Sequence, residues 1–119
     1  MAGHNELGKL GEELAADFLK KAGYEILATN WVYLKAEIDI IAVKDNILAI
    51  VEVKTRSTLE FGLPQEFVKP SKIKNLVRAV DAYVEQNDIE SEVRFDIISI
   101  HKNNNMFEIE HLVDAFYYF

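Results

Sequence analysis

The sequence predicts an α/β sandwich, in which a mixed central sheet is packed against helices. Three observations support this fold class. Two segments carry apolar residues at helical spacing, five shorter segments are typical of strands, and their order is helix, three strands, helix, two strands. The chain has 119 residues, 50% of them hydrophobic. We therefore expect one domain over residues 1–119, with enough apolar material for a core.

The two helices are predicted from their apolar periodicity and from the residues at their ends. The first is expected from about Glu6 to Ala22, with Asn5 as its N-terminal cap and Gly23 as its stop. The second is expected over Ser71–Gln86, with the hydroxyl of its first residue as the cap. In each helix the apolar side chains recur every three or four positions and form one buried stripe.

Five segments are predicted to be strands because they are rich in apolar and β-branched residues and are bounded by turn-forming residues. They are Tyr24–Trp31, Glu37–Val43, Ile47–Lys54, Val93–Ile100 and Met106–Val113. The segment Thr55–Pro70 contains Gly62 and Pro64 and is expected to be a long loop. Loops of this length are usually functional or mobile.

The hairpin formed by the second and third strands carries the charged residues of greatest interest. Asp45-Asn46 is well suited to a two-residue hairpin loop. That loop would set Asp39 opposite Glu52 and Glu37 opposite Lys54. Directly opposed residues share a face of the sheet at about 5 Å, where like charges are destabilising unless a cation lies between them. A divalent ion flanked by lysine would satisfy this arrangement.

These residue types suit the hydrolysis of a phosphodiester bond. Hard Mg²⁺ prefers oxygen ligands, and a bound metal activates water and polarises a phosphoryl group. Asp39 and Glu52 would supply carboxylate ligands, and the main-chain carbonyl of Val53 would supply a further ligand. Lys54 would orient the attacking water or stabilise the charge that develops on the phosphoryl group. The alternative is a polar strand end with a Glu37–Lys54 ion pair. The residues alone support both readings about equally.

Glu12 is a further candidate because it lies at the edge of the apolar stripe of the first helix. Glu13 falls further toward solvent. Gly8 and Gly11 weaken a helix interior, so we expect a close approach there, either of the sheet or of a nucleic-acid backbone. Tight packing against the sheet, with Glu12 merely solvated, is the simpler explanation of the glycines.

Several cations and one amide are candidates for binding nucleic acid. Arg56 and Gln65 are expected near the hairpin face, where the arginine could hold a phosphate. Four more cations cluster around the start of the second helix, an end whose dipole favours anions: Lys69, Lys72, Lys74 and Arg78. A solvated basic face is an equally supported alternative. The three histidines have no spacing that indicates zinc and are read as surface or structural.

Composition limits the classes of partner. The net charge of −7 argues against a general nucleic-acid coat but is compatible with a nuclease, because bound metal ions offset carboxylates. We therefore expect weak, salt-sensitive and divalent-dependent DNA binding. The absence of cysteine, of a signal peptide and of a long apolar run predicts a cytoplasmic protein without a membrane partner.

With these residues in place, the chain resembles the YraN-like family of small bacterial proteins, in the PD-(D/E)XK nuclease superfamily and similar to archaeal Holliday-junction resolvases. The resemblance extends over nearly the whole chain. It rests on Gly8–Ala15, Gly23–Leu27, Asn30-Trp31, Glu37–Ala42, Val51–Arg56, Phe61–Pro64 with Glu66 and Val68, Lys72, Arg94–Ile98 and Asp114–Phe116. The chain departs from the family pattern at Ala36, where the family usually has glycine.

The resemblance implies a restriction-endonuclease-like three-layer core and a Mg²⁺- or Mn²⁺-dependent DNA endonuclease acting on branched or damaged DNA in repair or recombination. Asp39, Glu52 and Lys54 match the metal-site motif, and Glu12 matches the helix acid of the resolvases. Resolvase-like nucleases often work as dimers, and the aromatic residues 116–119 could form the contact. Two alternatives are a non-catalytic nucleic-acid-binding module on the same fold and an interaction protein that docks through this aromatic end.

Overall fold

The fold was analysed in a computed structural model, which describes residues 2–57 and 70–115. The elements follow the predicted order of helix, three strands, helix and two strands. They are α1 (Ala2–Lys21), β1 (Glu25–Tyr33), β2 (Ala36–Lys44), β3 (Ile47–Ser57), α2 (Pro70–Gln86), β4 (Glu92–Asn103) and β5 (Met106–Leu112). The predicted α/β class is confirmed.

The five strands form one mixed sheet in the order β1-β2-β3-β4-β5. Neighbouring strands are antiparallel except β3 and β4, which run parallel. A parallel pair needs a crossover connection, and α2 lies in the segment that joins these two strands. One apolar cluster joins the sheet to α2 through Leu76 and Tyr83, and a second cluster contains Ala15 and Leu19 of α1 on the other face. The result is the predicted three-layer sandwich.

The helices begin earlier than the sequence predicted. α1 starts at Ala2, so Asn5 lies inside the helix and its prediction as the cap is wrong. α2 starts at Pro70, whose fixed φ suits the first turn of a helix, and Ser71 is therefore a helical residue rather than the cap. Gly23 does end α1, with a φ of 97°. Within the described residues, neither helix is long and apolar enough to cross a membrane.

β3 extends beyond its predicted end at Lys54. It continues to Ser57 because β4 offers parallel backbone partners along the whole length, up to the pair Ser57↔Lys102. Thr55 and Arg56 are therefore strand residues, and their assignment to a loop was wrong. The rest of the predicted loop, residues 58–69, and the aromatic residues 116–119 lie outside the described residues.

The contact between α1 and β3 explains one of the two glycines at which a close approach was expected. A Cβ atom at Gly11 would collide with the side chain of Thr55, so only glycine allows the helix to approach the sheet this closely. A Cβ at Gly8 would meet nothing within 4 Å. Among the described residues, the sheet therefore makes the expected close approach at Gly11 and not at Gly8.

Candidate active site

The β2–β3 hairpin closes with the predicted loop but separates at the charged residues. Asp45 and Asn46 have φ values of 52° and 61°, which suits a two-residue turn that matches the twist of the strands. The ladder then runs from Lys44↔Ile47 to Ile40↔Val51 and ends there. The predicted direct pairs, Asp39 with Glu52 and Glu37 with Lys54, are therefore absent from the ladder. The register was correct, but the two strands separate just before they reach the acids.

The side chain of Asp39 provides the reason for this separation. The backbone N–H of Val53 donates a hydrogen bond to Asp39 Oδ2 at 2.8 Å. The alternation of β2 also changes here, since Ile38 packs in the cluster under α2 and Ile40 in the cluster under α1. Residues two apart on a regular strand would share a face. Asp39 is therefore the point at which the strand becomes irregular.

Asp39 and Glu52 nevertheless meet in one cavity on the α2 side of the sheet. The cavity has a volume of about 510 Å³ and is lined by residues of β2, β3, the β1–β2 turn and the start of α2: Lys35, Ala36, Glu37, Asp39, Glu52, Ser71, Lys72, Asn75 and Leu76. Glu52 is only 5% exposed. A carboxylate buried to this degree requires a partner or a role.

Two lysines partly neutralise Glu52. Lys72 Nζ donates a hydrogen bond to Glu52 Oε1. Lys54 Nζ lies 3.6 Å from the same oxygen. Burial alone would lower the pKa of Lys72, but the hydrogen bond and charge of Glu52 outweigh it and raise the pKa above its usual value. Lys72 therefore remains charged and acts as the counter-ion of Glu52 in the cavity.

Asp39 is much less well compensated than Glu52. Its burial and then the negative charge of Glu52 raise the pKa of Asp39 to about 7. The hydrogen bond from Val53 and the charge of Lys72 act in the opposite direction but are weaker. Two carboxylates that share one cavity, one of them with a raised pKa, are characteristic of functional sites.

Glu12 approaches the same acids from α1. Its side chain is half-buried, whereas Glu13 is exposed, as the apolar stripe predicted. Burial raises the pKa of Glu12, and the charges of Glu37 and Glu52 add to this effect, while a hydrogen bond with Asn30 opposes it. Glu12 is thus within electrostatic reach of the cavity.

A divalent cation would find its protein ligands in the two carboxylates of this cavity. Within residues 2–57 and 70–115, no three Asp, Glu or His side chains are close enough together to form a metal site by themselves. Mg²⁺ usually retains several waters and takes only one or two protein carboxylates together with substrate phosphates. Asp39 and Glu52 meet that requirement, and the backbone of Val53 lies beside them.

The predicted nucleic-acid-binding residues divide into three groups. Lys72 lines the acid cavity, and Arg78 lines a second cavity adjoining it. Lys74 is exposed on α2 and lines neither cavity. Arg56 lines a separate cavity together with Ser99, and Arg56 Nη2 donates a hydrogen bond to Ser99 Oγ at 3.4 Å. Arg56 follows Lys54 by two residues on β3 and does not line the acid cavity itself, so its role in binding nucleic acid stays a prediction. Gln65 and Lys69 lie outside the described residues.

Sequence reasoning missed a second buried acid on the other face of the sheet. Asp96 is fully buried and accepts two hydrogen bonds from Arg94, at 2.9 Å each, one from the Asp114 amide and one shared with His111 Nε2 at 2.8 Å. Arg94 also donates to the Tyr24 hydroxyl. The structural reading of His111 is confirmed. The available signal was an arginine and an aspartate two apart on one strand, which share a face.

Comparison with known proteins identifies relatives over the whole chain. The model of the uncharacterised protein family UPF0102 matches residues 11–100. A UPF0102 protein of Flavobacterium psychrophilum is 62% identical over 119 residues, and both chains are covered completely. UPF0102 proteins of Christiangramia forsetii and Bacteroides thetaiotaomicron are 60% and 50% identical, with at least 97% of each chain covered. The family resemblance predicted from the motifs is confirmed.

Proposed function

Because the chain belongs to the UPF0102 family, whose description assigns no activity, we propose its function from its own site: a divalent-metal-dependent DNA endonuclease. The proposed reaction is hydrolysis of a phosphodiester bond in branched or damaged DNA. The observation that supports it most strongly is the shared cavity of Asp39 and Glu52, in which burial and mutual repulsion raise the pKa of Asp39 to about 7. A cation held between them would remove this penalty.

The metal of the proposal is Mg²⁺ or Mn²⁺, held by the carboxylates of Asp39 and Glu52 and by the main-chain carbonyl of Val53. When bound, such an ion lowers the pKa of a coordinated water and polarises the phosphoryl group. The chain itself prepares this site by two means. The Val53 N–H fixes the orientation of the Asp39 carboxylate, and burial keeps Glu52 in the cavity without competing bulk water.

The two lysines have different proposed roles. Lys54 follows Glu52 on the same face of β3 and stays within 3.6 Å of its carboxylate, where it can orient the attacking water or stabilise charge on the phosphoryl oxygens. Lys72 donates a hydrogen bond to Glu52 at the cavity, and its ammonium group would also bind a substrate phosphate there. Glu12, nearby on α1, assists by orienting water.

The test compares cleavage of four-way, single-stranded and linear DNA by the wild type, Lys54→Ala and Lys20→Ala in Mg²⁺ and in EDTA. Lys54→Ala should lower the cleavage rate by about 10²–10³-fold, the range for loss of one charge-stabilising group. Lys20→Ala is the matched control, since this lysine is exposed in the last turn of α1 and lies outside the cavity. Its rate should stay close to the wild-type rate. Equal cleavage by wild type and Lys54→Ala would contradict the proposal.

A second candidate function is a nucleic-acid-binding module without catalysis. The ion pair between Lys72 and Glu52 favours it, because this pair already neutralises one of the two acids in the cavity. This candidate predicts DNA binding that is independent of metal and accompanied by no cleavage. The same experiment separates the two functions.

A further inference from the structure

A second cavity adjoins the acid cavity and has a different chemical character. It has a volume of about 460 Å³ and lies between the β1–β2 turn and α2, lined by Tyr33, Leu34, Lys35, Ala36, Asn75 and Arg78. Its described lining contains two cations and an amide and no acidic side chain. Three of its residues also line the acid cavity, so the two form one continuous groove. The groove continues past Arg78 to Asp81 and Glu85 at its far end.

Leu34 at the lip of this groove is unusual in two respects. Its side chain is 77% exposed. Its φ of 54° is in the left-handed region, which a branched apolar side chain rarely adopts. Leu34 and Lys35 form the tight connection between the paired residues Tyr33 and Ala36. Exposure and backbone strain both disfavour a leucine here, and such outliers commonly mark functional positions.

Aromatic side chains hold the hairpin end in place behind Leu34. The rings of Trp31 and Tyr33 are stacked, with centroids 6.1 Å apart and an interplanar angle of 2°. Trp31 also makes an edge-to-face contact with Tyr83 of α2 at 5.2 Å. The turn is therefore anchored to the helix that forms the opposite wall of the groove. Because the turn is packed against α2, the exposed Leu34 side chain is held in a fixed position at the groove.

From these observations we propose that Leu34 is a wedge that inserts between neighbouring bases of DNA lying in this groove. The proposal rests on the proposed nuclease function and specifies its substrate as DNA that unstacks easily, such as a branch point. Apolar side chains enter base steps in this way in proteins that kink DNA. Lys35, Asn75 and Arg78 would bind the phosphates next to the wedged step, since phosphate contacts of this kind position a protein on DNA.

The distance between the wedge and the acids predicts the position of the cut. Leu34 and Asp39 are five residues apart, and because Leu34 lies in the turn before β2, their separation is at most about 17 Å, the length that five fully extended residues span at about 3.3 Å each. The rise of duplex DNA is about 3.4 Å per base pair. The cut should therefore lie no more than about five base-pair steps from the unstacked step.

The test uses a four-way DNA junction with 2-aminopurine at the branch point, bound in Ca²⁺, and a linear duplex with 2-aminopurine in the same sequence. The variants are Leu34→Asn and, as the matched control, Val32→Asn. Val32 is an apolar residue of the same hairpin, is 61% exposed and lines neither cavity. Asparagine tolerates the left-handed conformation, so Leu34→Asn should melt no lower than the wild type.

Wild type and Val32→Asn should raise the junction fluorescence by about twofold or more, because an inserted side chain unstacks the labelled base. Leu34→Asn should abolish this rise while changing the Kd for the linear duplex by less than about twofold, because phosphate contacts dominate that affinity. Its cleavage of the junction should fall in parallel.

Three results would overturn the wedge. The first is an unchanged fluorescence rise with Leu34→Asn while Lys54→Ala still abolishes cleavage; the nuclease would then stand without the wedge. The second is a dimer in light scattering that Leu34→Asn dissociates without affecting DNA, which would make the turn a contact between copies. The third is the absence of any DNA binding by the wild type, which would remove both the nuclease proposal and the wedge.

Discussion

The two buried acid clusters of this protein lie on opposite faces of the sheet and differ in how completely they are compensated. Asp96 accepts hydrogen bonds from an arginine fork, a histidine and a backbone amide. Burial alone would raise its pKa, but these bonds outweigh burial and lower it. Asp39 has one backbone N–H and an acidic neighbour, and its pKa rises to about 7. The ionised form of aspartate is thus stabilised at position 96 and destabilised at position 39.

This difference distinguishes a structural acid from a candidate catalytic one. The Asp96 cluster joins the residue before β1, β4 and the turn after β5 through Tyr24, Arg94 and Asp114, and four hydrogen bonds already occupy the Asp96 carboxylate. The cavity of Asp39 and Glu52 has a volume of about 510 Å³, and in it burial and the charge of Glu52 raise the pKa of Asp39 to about 7. Burial of a carboxylate is therefore not sufficient to identify a functional site. The hydrogen bonds and charges around the carboxylate determine whether it is structural or available to a ligand.

The largest expected effect is the loss of the compensated acid. Asp96→Ala should lower the free energy of unfolding by about 3–5 kcal/mol, because it leaves the charge of Arg94, whose side chain is only 19% exposed, without its partner. Urea unfolding at neutral pH measures this change. If Asp39→Ala lowered the free energy of unfolding as much as Asp96→Ala, the distinction between a structural and a candidate catalytic acid would be wrong.

A smaller effect of opposite sign is expected at the other acid. Asp39→Asn removes a disfavoured charge near Glu52 and leaves a side-chain oxygen to accept the Val53 N–H. At pH 8 without divalent ions, we expect the free energy of unfolding to rise by on the order of 1 kcal/mol. The same substitution should abolish metal-dependent cleavage. A clear loss of stability at pH 8 would show that Asp39 has a structural role.

The pH dependence of the metal-free protein should be no larger than the gain from Asp39→Asn, because both measure the cost of the same buried charge. The raised pKa of Asp39 means that the folded state holds a proton that the unfolded state releases above about pH 3.8. Stability from this group should therefore fall as the pH rises from about 4 to about 7. The lowered pKa of Asp96 acts in the opposite sense, with stability lost as the pH falls below about 3.8. Thermal melting across this range measures both.

Asp39→Asn is the matched control for the pH profile. It should remove the loss of stability between pH 4 and 7 and leave unchanged the loss of stability below about pH 3.8 that Asp96 causes. Retention of the full decline in this variant would assign it to other groups.

The sequence predicted the fold and the acid pair because both depend on local patterns. The Asp45-Asn46 loop sets the register of the hairpin, and that register sets which acids come together. The position of Lys72 could not be predicted, since it depends on how the start of α2 packs over the sheet. The ladder also ends before the acids for a reason that the pattern does not contain, namely the hydrogen bond between Asp39 and the Val53 amide.

The Asp96 cluster and the Leu34 turn were missed for different reasons. The cluster joins Tyr24 to Arg94 and Asp96 to His111, contacts over long sequence separations that a single sequence does not reveal. The left-handed conformation at Leu34 contradicts the preference of leucine, so propensity rules assign it elsewhere. Ala36 begins β2 and does not have a positive φ, so its backbone conformation does not require glycine.

The central claim, that Asp39 and Glu52 share a hard cation, is tested most directly by diffraction from crystals grown with Mn²⁺ and measured for anomalous scattering. The account predicts an anomalous peak within about 2.5 Å of a carboxylate oxygen of each residue, the range for oxygen ligands of hard divalent ions, with Lys72 displaced from Glu52. A map with no peak between the two acids, and with Lys72 still bonded to Glu52 in saturating Mn²⁺, would contradict it.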